Sequence, residues 1–234
     1  LRFDGENLRF SDVLGEVGSS SVRADGEVRI DQGFAGLRVD FDLAGPALED
    51  LVADLGAIEL QPGPYELSSE LHLDSERIRF DDIEYSRPFG EVRGSFGMAL
   101  NASGREMTFD LTARGDDLHQ VLGTVYGFEA EEMAFAFDVR GGLRETLISL
   151  DKLDITVGAA TANARGELDF GEARRSTRFA LDVNVPDMAR LGSLNGLRLR
   201  EQGFALHVDV RGDRERIVVE NLSATIDESD VHGS

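Results

Sequence analysis

Cysteine and tryptophan are absent from the 234 residues, and lysine occurs once, at Lys152. Without cysteine there is no disulfide framework, no thiolate zinc site and no cysteine nucleophile. The lack of thiols suits an oxidising compartment. The arginine-for-lysine bias reads as genomic base composition rather than chemistry. No apolar run is long enough to span a bilayer and no signal peptide opens the chain. Leu1 already stands in a strand-like pattern, and Val231–Ser234 stop in the middle of one. The expectation is an internal piece of a longer, extracytoplasmic bacterial protein, with any anchor or export signal outside it. Positive charge is scarce as well: 24 Lys+Arg face 45 Asp+Glu, a net charge of −21. Such a surface repels phosphate backbones and anionic membrane surfaces, so nucleic acid is excluded as a partner and the chain should not lie flat on a membrane.

What is present is enough to fold. Hydrophobic residues make up 41% and charged residues 29%, a balance of globular rather than disordered chains. The 14 Phe and 26 Gly are distributed with a beat. Arg77-Ile78-Arg79-Phe80-Asp81-Asp82-Ile83, Leu147-Ile148-Ser149-Leu150-Asp151-Lys152-Leu153 and Arg216-Ile217-Val218-Val219-Glu220-Asn221-Leu222 resemble one another. A weaker copy opens the chain as Leu1 to Leu8. The closing apolar residues at 8, 83, 153 and 222 step by 75, 70 and 69, and Gly26, Gly94, Gly166 and Gly233 follow the copies in turn. A second landmark keeps the same time. Leu43–Leu51, Gly115–Leu122 and Val185–Leu191 each begin near Pro or Asp and carry apolar residues three or four apart, the signature of a short capped helical turn. Leu48, Leu118 and Met188 are 70 residues apart. Two independent landmarks with one spacing establish a repeat: 1–76, 77–145, 146–215 and a partial 216–234, read as one continuous array.

Between the landmarks the period is two. Leu37, Val39, Phe41 and Leu43 alternate with Arg38, Asp40 and Asp42; Met107, Phe109, Leu111 and Ala113 alternate with Thr108, Asp110 and Thr112. Met133 to Val139, Phe179 to Val185 and Phe204 to Val210 repeat the habit. One face is apolar and the other charged, as in an antiparallel sheet with one wet side. Arg140-Gly141-Gly142 and Arg211-Gly212-Asp213 read as short turns. Four strands and one short helix per repeat predict an all-β fold of about thirteen strands. Short helices cannot cover so large an apolar face, so the sheet is expected to be long and strongly curved, a β-groove that wraps that face inward.

The repeated unit combines an alternating strand, a Gly-bearing strand such as Ala164-Arg165-Gly166-Glu167-Leu168 or Arg23-Ala24-Asp25-Gly26-Glu27-Val28, a Phe-rich strand, and Asp/Pro-x-x-Leu/Met-x-x-Leu. Over nearly the whole chain this pattern resembles the AsmA-like family of Gram-negative envelope proteins, which includes the TamB and YhdP relatives. The resemblance implies a periplasmic β-groove in a protein anchored in the inner membrane. It also implies movement of phospholipid between the inner and outer membranes, with envelope proteins as partners at the ends of the full-length protein. An alternative implied by the same relatives is a scaffold that assists outer-membrane protein assembly by pairing with a client β-strand.

The side chains expected to touch lipid are the bulky members of the alternating faces: Phe41, Phe96, Met98, Phe109, Met133, Phe135, Phe137, Phe170, Phe179 and Phe204. A dry core would use the same pattern. No catalytic residues, metal ligands or cofactor are expected, and the chain is read as a non-enzyme. Asp81-Asp82, Asp116-Asp117 and Glu131-Glu132 fall in polar edges or turns of an already acidic chain rather than in a glycosidase or calcium arrangement. The histidines at 72, 119, 207 and 232 lack mutual metal spacing, and His72 and His207 fall on polar strand faces. There is no phosphate loop and no nucleophile elbow. Gly26, Gly94 and Gly166 are expected to mark bends or bulges that curve the sheet.

Overall fold

The fold was analysed in a computed structural model that describes residues 1–30, 36–47, 63–100, 106–121, 124–125, 128–171, 177–212, 216–227 and 229–233. A two-residue strand, β1 (Arg2–Phe3), precedes the first unit of four: β2 (Asn7–Val17), β3 (Ser20–Arg29), β4 (Leu37–Gly45) and β5 (Tyr65–Leu73). The second unit is β6 (Arg77–Arg87), β7 (Gly90–Ala99) and β8 (Glu106–Gly115), then two rim strands, β9 (Thr124–Val125) and β10 (Phe128–Ala130), and its fourth long strand, β11 (Phe135–Arg144). The third is β12 (Leu147–Val157), β13 (Ala160–Asp169) and β14 (Thr177–Val185), rim strands β15 (Gly192–Leu194) and β16 (Leu197–Arg198), and β17 (Phe204–Gly212). β18 (Ile217–Ile226) and β19 (Ser229–Gly233) begin a fourth.

Fifteen of these strands form one antiparallel sheet, ordered β1 to β8, then β11 to β14, then β17 to β19. Its first and last strands do not pair, so the sheet is open. The count exceeds the expected thirteen because β1 and β19 are short partial strands. At about 4.8 Å between neighbours, the array runs roughly 67 Å along its contour.

The first strand of each unit starts at residue 7, 77, 147 and 217, a constant step of 70. This corrects the uneven first step of 75. The true first copy is Asn7-Leu8-Arg9-Phe10-Ser11-Asp12-Val13, so Val13 is the counterpart of Ile83 and Leu8 that of Ile78.

Each of these first strands is broken by one bulge: between Phe10 and Val13, Phe80 and Ile83, Leu150 and Leu153, and opposite the Asp209/Val210 step, between Val219 and Asn221. Continuous register carries these breaks onto one line across the sheet. The bulged polar residues lie on the charged face: Asp12 pairs with Arg23, Asp81 with Arg79, and Lys152 with Asp138 and Asp154. An extra residue on that side lengthens it and bends the strand toward the apolar side. The sheet therefore creases along its long axis with the apolar face inward. Consistent with this, the rings of Phe41 and Phe80, on strands two apart, approach edge-on to 6.5 Å between centroids.

The expected bend-marking glycines stand beside these breaks. Gly26 pairs with Phe10, Gly94 with Ile83, and Gly166 with Leu150. A Cβ on Gly94 or Gly166, with φ of +144° and +128°, would fall 1.9 or 2.0 Å from a carbonyl oxygen of the next strand. Only glycine fits.

Two turn readings are corrected. Arg140-Gly141-Gly142 lies inside β11, where Gly141 pairs with Leu150 and Phe109. A Cβ there would stand 2.1 Å from the Ser149 carbonyl oxygen, so this glycine serves a close backbone approach. Gly212 is likewise the last residue of β17 rather than a turn residue, while Asp213 lies outside the described residues.

The helical turns appear as α1 (Leu118–Val121) and a 3₁₀ turn (Met188–Arg190). Asp117 Oδ1 accepts the Gln120 amide at 3.3 Å, and Asp187 Oδ1 accepts that of Ala189 at 3.0 Å. The first expected turn, around Leu48, lies outside the described residues. Both described turns sit in long connections at one end of the strands. There β10 and β15 pair, Glu129 with Ser193 and Ala130 with Gly192, to make a four-stranded rim sheet (β16-β15-β10-β9) that links successive units.

Candidate functional site

Cross-strand partners in an antiparallel sheet project to the same side, so the registers assign each side chain to a face. One row runs Phe10, Gly26, Val39, Leu71, Phe80, Phe96, Phe109, Gly141, Leu150, Gly166, Phe179, Val210, Val219. Across the crease lies another: Val13, Ala24, Phe41 and Ser69, then Ile83, Gly94, Leu111, Val139, Leu153, Ala164, Leu181, Val208 and Leu222. The face is a continuous hydrocarbon surface. Ser69 is one of its few hydroxyls, and its Oγ donates to the carbonyl of bulge residue Asp81 at 2.8 Å, which satisfies a group the broken ladder leaves over.

The opposite face carries the charge. Arg9 pairs with Glu27 at 3.2 Å, Arg140 with Asp110 at 2.7 Å and Arg211 with Glu220 at 2.9 Å; Arg38 with Glu70 and Arg114 with Glu91 extend the ladder. His72 and His207 stand here among carboxylates, Nε2 of His72 at 3.2 Å from Glu70 and Nδ1 of His207 at 2.6 Å from Asp182. The Asp182 hydrogen bond raises the His207 pKa, with smaller help from Asp209. Among the described residues no group of three or more His, Cys, Asp or Glu is arranged to hold a metal ion. None of their helices is long and apolar enough to cross a membrane.

Among the described residues, no second layer of comparable size covers the apolar face. Total accessible surface is 15077 Å², against about 10,400 Å² for a compact monomer of 25.6 kDa. Few apolar side chains among the described residues are buried: Tyr65, Ala99, Leu118, Ala130, Phe135, Ala164 and Val185. Among the described residues the one core cluster lies at the rim, where Leu118 of α1 and Ala130 of β10 fold down onto Phe135, with Ala113, Val121, Met133, Phe137 and Val157 around them. Away from that rim the face is half-buried, its neighbours along the sheet being its main cover.

Eight of the ten expected residues fall on this face. Phe96, Phe109 and Phe179 share the first row; Phe41 lies across the crease, Met98 nearer the opposite rim, and Phe135, Phe137 and Phe204 toward the insertion-bearing rim. Met133 precedes β11 rather than belonging to it; its carbonyl accepts the Leu118 amide at 2.9 Å, and its side chain joins the rim cluster. Phe170 stands apart, in the turn after β13, 64% exposed. Phe135 is 5% exposed, held by the chain's own insertion.

Sequence reading passed over Phe10 and Phe80, which the bulge motif carries into the same row; the apolar residue just before each polar pair was the available signal. It also passed over the aliphatic majority of the face, and over Arg87, which ends β6 on the apolar side opposite Gly90.

No family model, curated protein or solved structure matches the chain.

Proposed function

We propose that this chain is a periplasmic segment of an AsmA-like envelope protein and that its apolar trough carries phospholipid acyl chains between the inner and outer membranes. One observation carries the reading: an apolar face that runs across the sheet from β2 to β18 with, among the described residues, no covering layer except at one rim. Soluble monomers rarely leave more than a few hundred Å² of contiguous apolar surface open without a partner for it. Each methylene moved out of water gains about 0.8 kcal/mol, so a sixteen-carbon chain exposed to water costs on the order of 12 kcal/mol. A trough lined almost wholly by uncharged side chains lowers that barrier along its length, and weak contacts repeated from unit to unit let a chain slide. The role is one of transfer, with no catalysis and no cofactor.

Photo-crosslinkers at Phe109, on the open face, and at Phe137, beside the rim cluster, test it in the full-length protein in cells. Lipid adducts at Phe109 are the expected result, and their absence at both positions would end the transport reading. A second reading, carried by the same resemblance, is a scaffold that assists outer-membrane protein assembly by pairing with a client β-strand. Capture of a β-strand client without lipid would favour it.

A further inference from the structure

Half of the residues in the rim cluster belong to the apolar face itself. Phe135, Phe137, Ala113 and Val157 are neighbours on β8, β11 and β12, and register puts their side chains on that face. What lies on them comes from the second unit's insertion: Leu118 and Val121 of α1, Ala130 of β10, and Met133. Leu118 is 4% exposed and Phe135 5%. A leucine of the chain's own thus occupies a stretch of face where the transport reading seats an acyl chain. One unit on, the same positions are arranged differently. Met188 of the 3₁₀ turn and Phe204 at the start of β17 are each only half-buried. The tight cover belongs to one insertion and not to every repeat.

This insertion is tied at its ends and rests on the floor between them. At the rim the Asp116 amide donates to the Phe89 carbonyl at 3.2 Å, and the Gly158 amide donates to that of Ala134 at 2.8 Å. Inside the insertion the Leu118 amide donates to the Met133 carbonyl at 2.9 Å, and His119 Nδ1 stands 3.1 Å from the Ala130 carbonyl. β10 in turn pairs with β15, so α1 and the rim sheet form one hydrogen-bonded body. Among the described residues, α1 reaches the floor strands through apolar contact alone. Such contact is non-directional. A methylene chain offers Phe135 and Phe137 the same kind of surface as Leu118 and Val121 do, and exchanging one for the other strands no polar group.

We propose that α1 and the rim strands behind it are a gate over the β8–β12 floor, shut by Leu118 on Phe135 and opened by an arriving acyl chain. This rests on the transport reading above, and the test keeps the two apart. The chain has no cysteine, so an engineered pair meets no native thiol to mispair with. A Cβ on Gly90 would stand 3.0 Å from Val121 Cγ2, within reach of a disulfide. Gly90→Cys/Val121→Cys therefore pins α1 to β7. Photo-crosslinkers at Phe137, in the covered stretch, and at Phe109, on the open floor, report lipid after incubation with vesicles of phosphatidylethanolamine and phosphatidylglycerol.

In the reduced protein both positions are expected to yield lipid adducts. Oxidation should lower those at Phe137 by about tenfold and leave those at Phe109 unchanged, and reduction should restore them. Leu118→Ala, which lightens the cover, should raise adducts at Phe137 above the wild-type level. Adducts at Phe109 with none at Phe137 in the reduced protein would make the cluster permanent packing, which overturns the gate and leaves the trough standing. Adducts at Phe137 that ignore oxidation overturn it as well. If neither position yields adducts, both proposals fall. Should the cysteine pair fail to fold or to oxidise, Leu118→Ala decides: adducts at Phe137 that fall or stay level overturn the gate.

Discussion

The hydroxyl groups of Ser20 and Tyr65 meet at 2.8 Å above Gly45, a hydrogen bond that runs from β3 to β5 over the strand between them. Gly45 is what allows it, since a Cβ there would stand 2.2 Å from Ser20 Oγ. One unit later Phe135 lies over Gly115 in the same way, reaching to 3.1 Å of where a Cβ on Gly90 would be. An aromatic side chain laid over a glycine ties three strands together at this rim.

Tyr65→Phe would leave the Ser20 hydroxyl, 1% exposed, without its partner and should cost about 1–3 kcal/mol. The double variant Ser20→Ala/Tyr65→Phe should recover part of that loss, because neither polar group is then stranded. Urea denaturation of the single and double variants measures the coupling, and strictly additive losses would contradict it.

Open face and packed rim should respond differently to truncation. Phe135→Ala, in the rim cluster, is expected to cost about 3–5 kcal/mol, as in any closed core. Phe109→Ala, on the floor, should cost less, about 1–2 kcal/mol, because Phe109 is only partly buried. Equal losses in denaturant midpoint would mean that the floor is a filled core after all.

Replacing a crease glycine should be worse than replacing one in open space. Gly94→Ala and Gly166→Ala push a Cβ into a carbonyl at a φ that disfavours side chains, and should cost about 3 kcal/mol or prevent folding. Gly15→Ala, with nothing within 4 Å, should change stability by less than about 0.5 kcal/mol. Circular dichroism melts of the three variants make the comparison.

Stability should depend on pH at the charged strip of β14, β17 and β18. His207, between Asp182 and Asp209, has a folded pKa above its ordinary 6.5, chiefly through the Asp182 hydrogen bond. Its contribution is therefore full below 6.5 and is lost as pH rises through the higher folded value. Asp209 is lowered from 3.8, first by the Asn221 hydrogen bond and then by His207, so its contribution holds above 3.8 and is lost as pH falls through the lower folded value. The gap in urea midpoint between wild type and His207→Gln should be widest between these limits and shrink in alkali. A gap that stays constant with pH would show that His207 does not act through its charge.

The period-two alternation of Leu37 to Leu43 or Phe204 to Val210 shows which residues share a face, because a half-buried strand imposes that spacing directly. The 70-residue beat was equally legible. Less accessible were the features that depend on which strand lies alongside. Gly141-Gly142 looks like a turn locally and is mid-strand only because β12 approaches its backbone so closely. Met133 continues the alternation of β11 but is drawn out of the ladder by its bond to Leu118. Arg87 becomes conspicuous only when the register shows which face it joins. The openness of the floor could not be read from residue types either, since a plugged interior and a vacant one demand the same side chains.

Because the ladder is broken once in every seventy residues, always between the same two rows, cross-section and length are governed separately. Duplicating the unit would extend the structure without widening or narrowing its bore, whereas moving a single bulge by two residues would pinch it at one place. Copy number alone would thus set how long such a protein is.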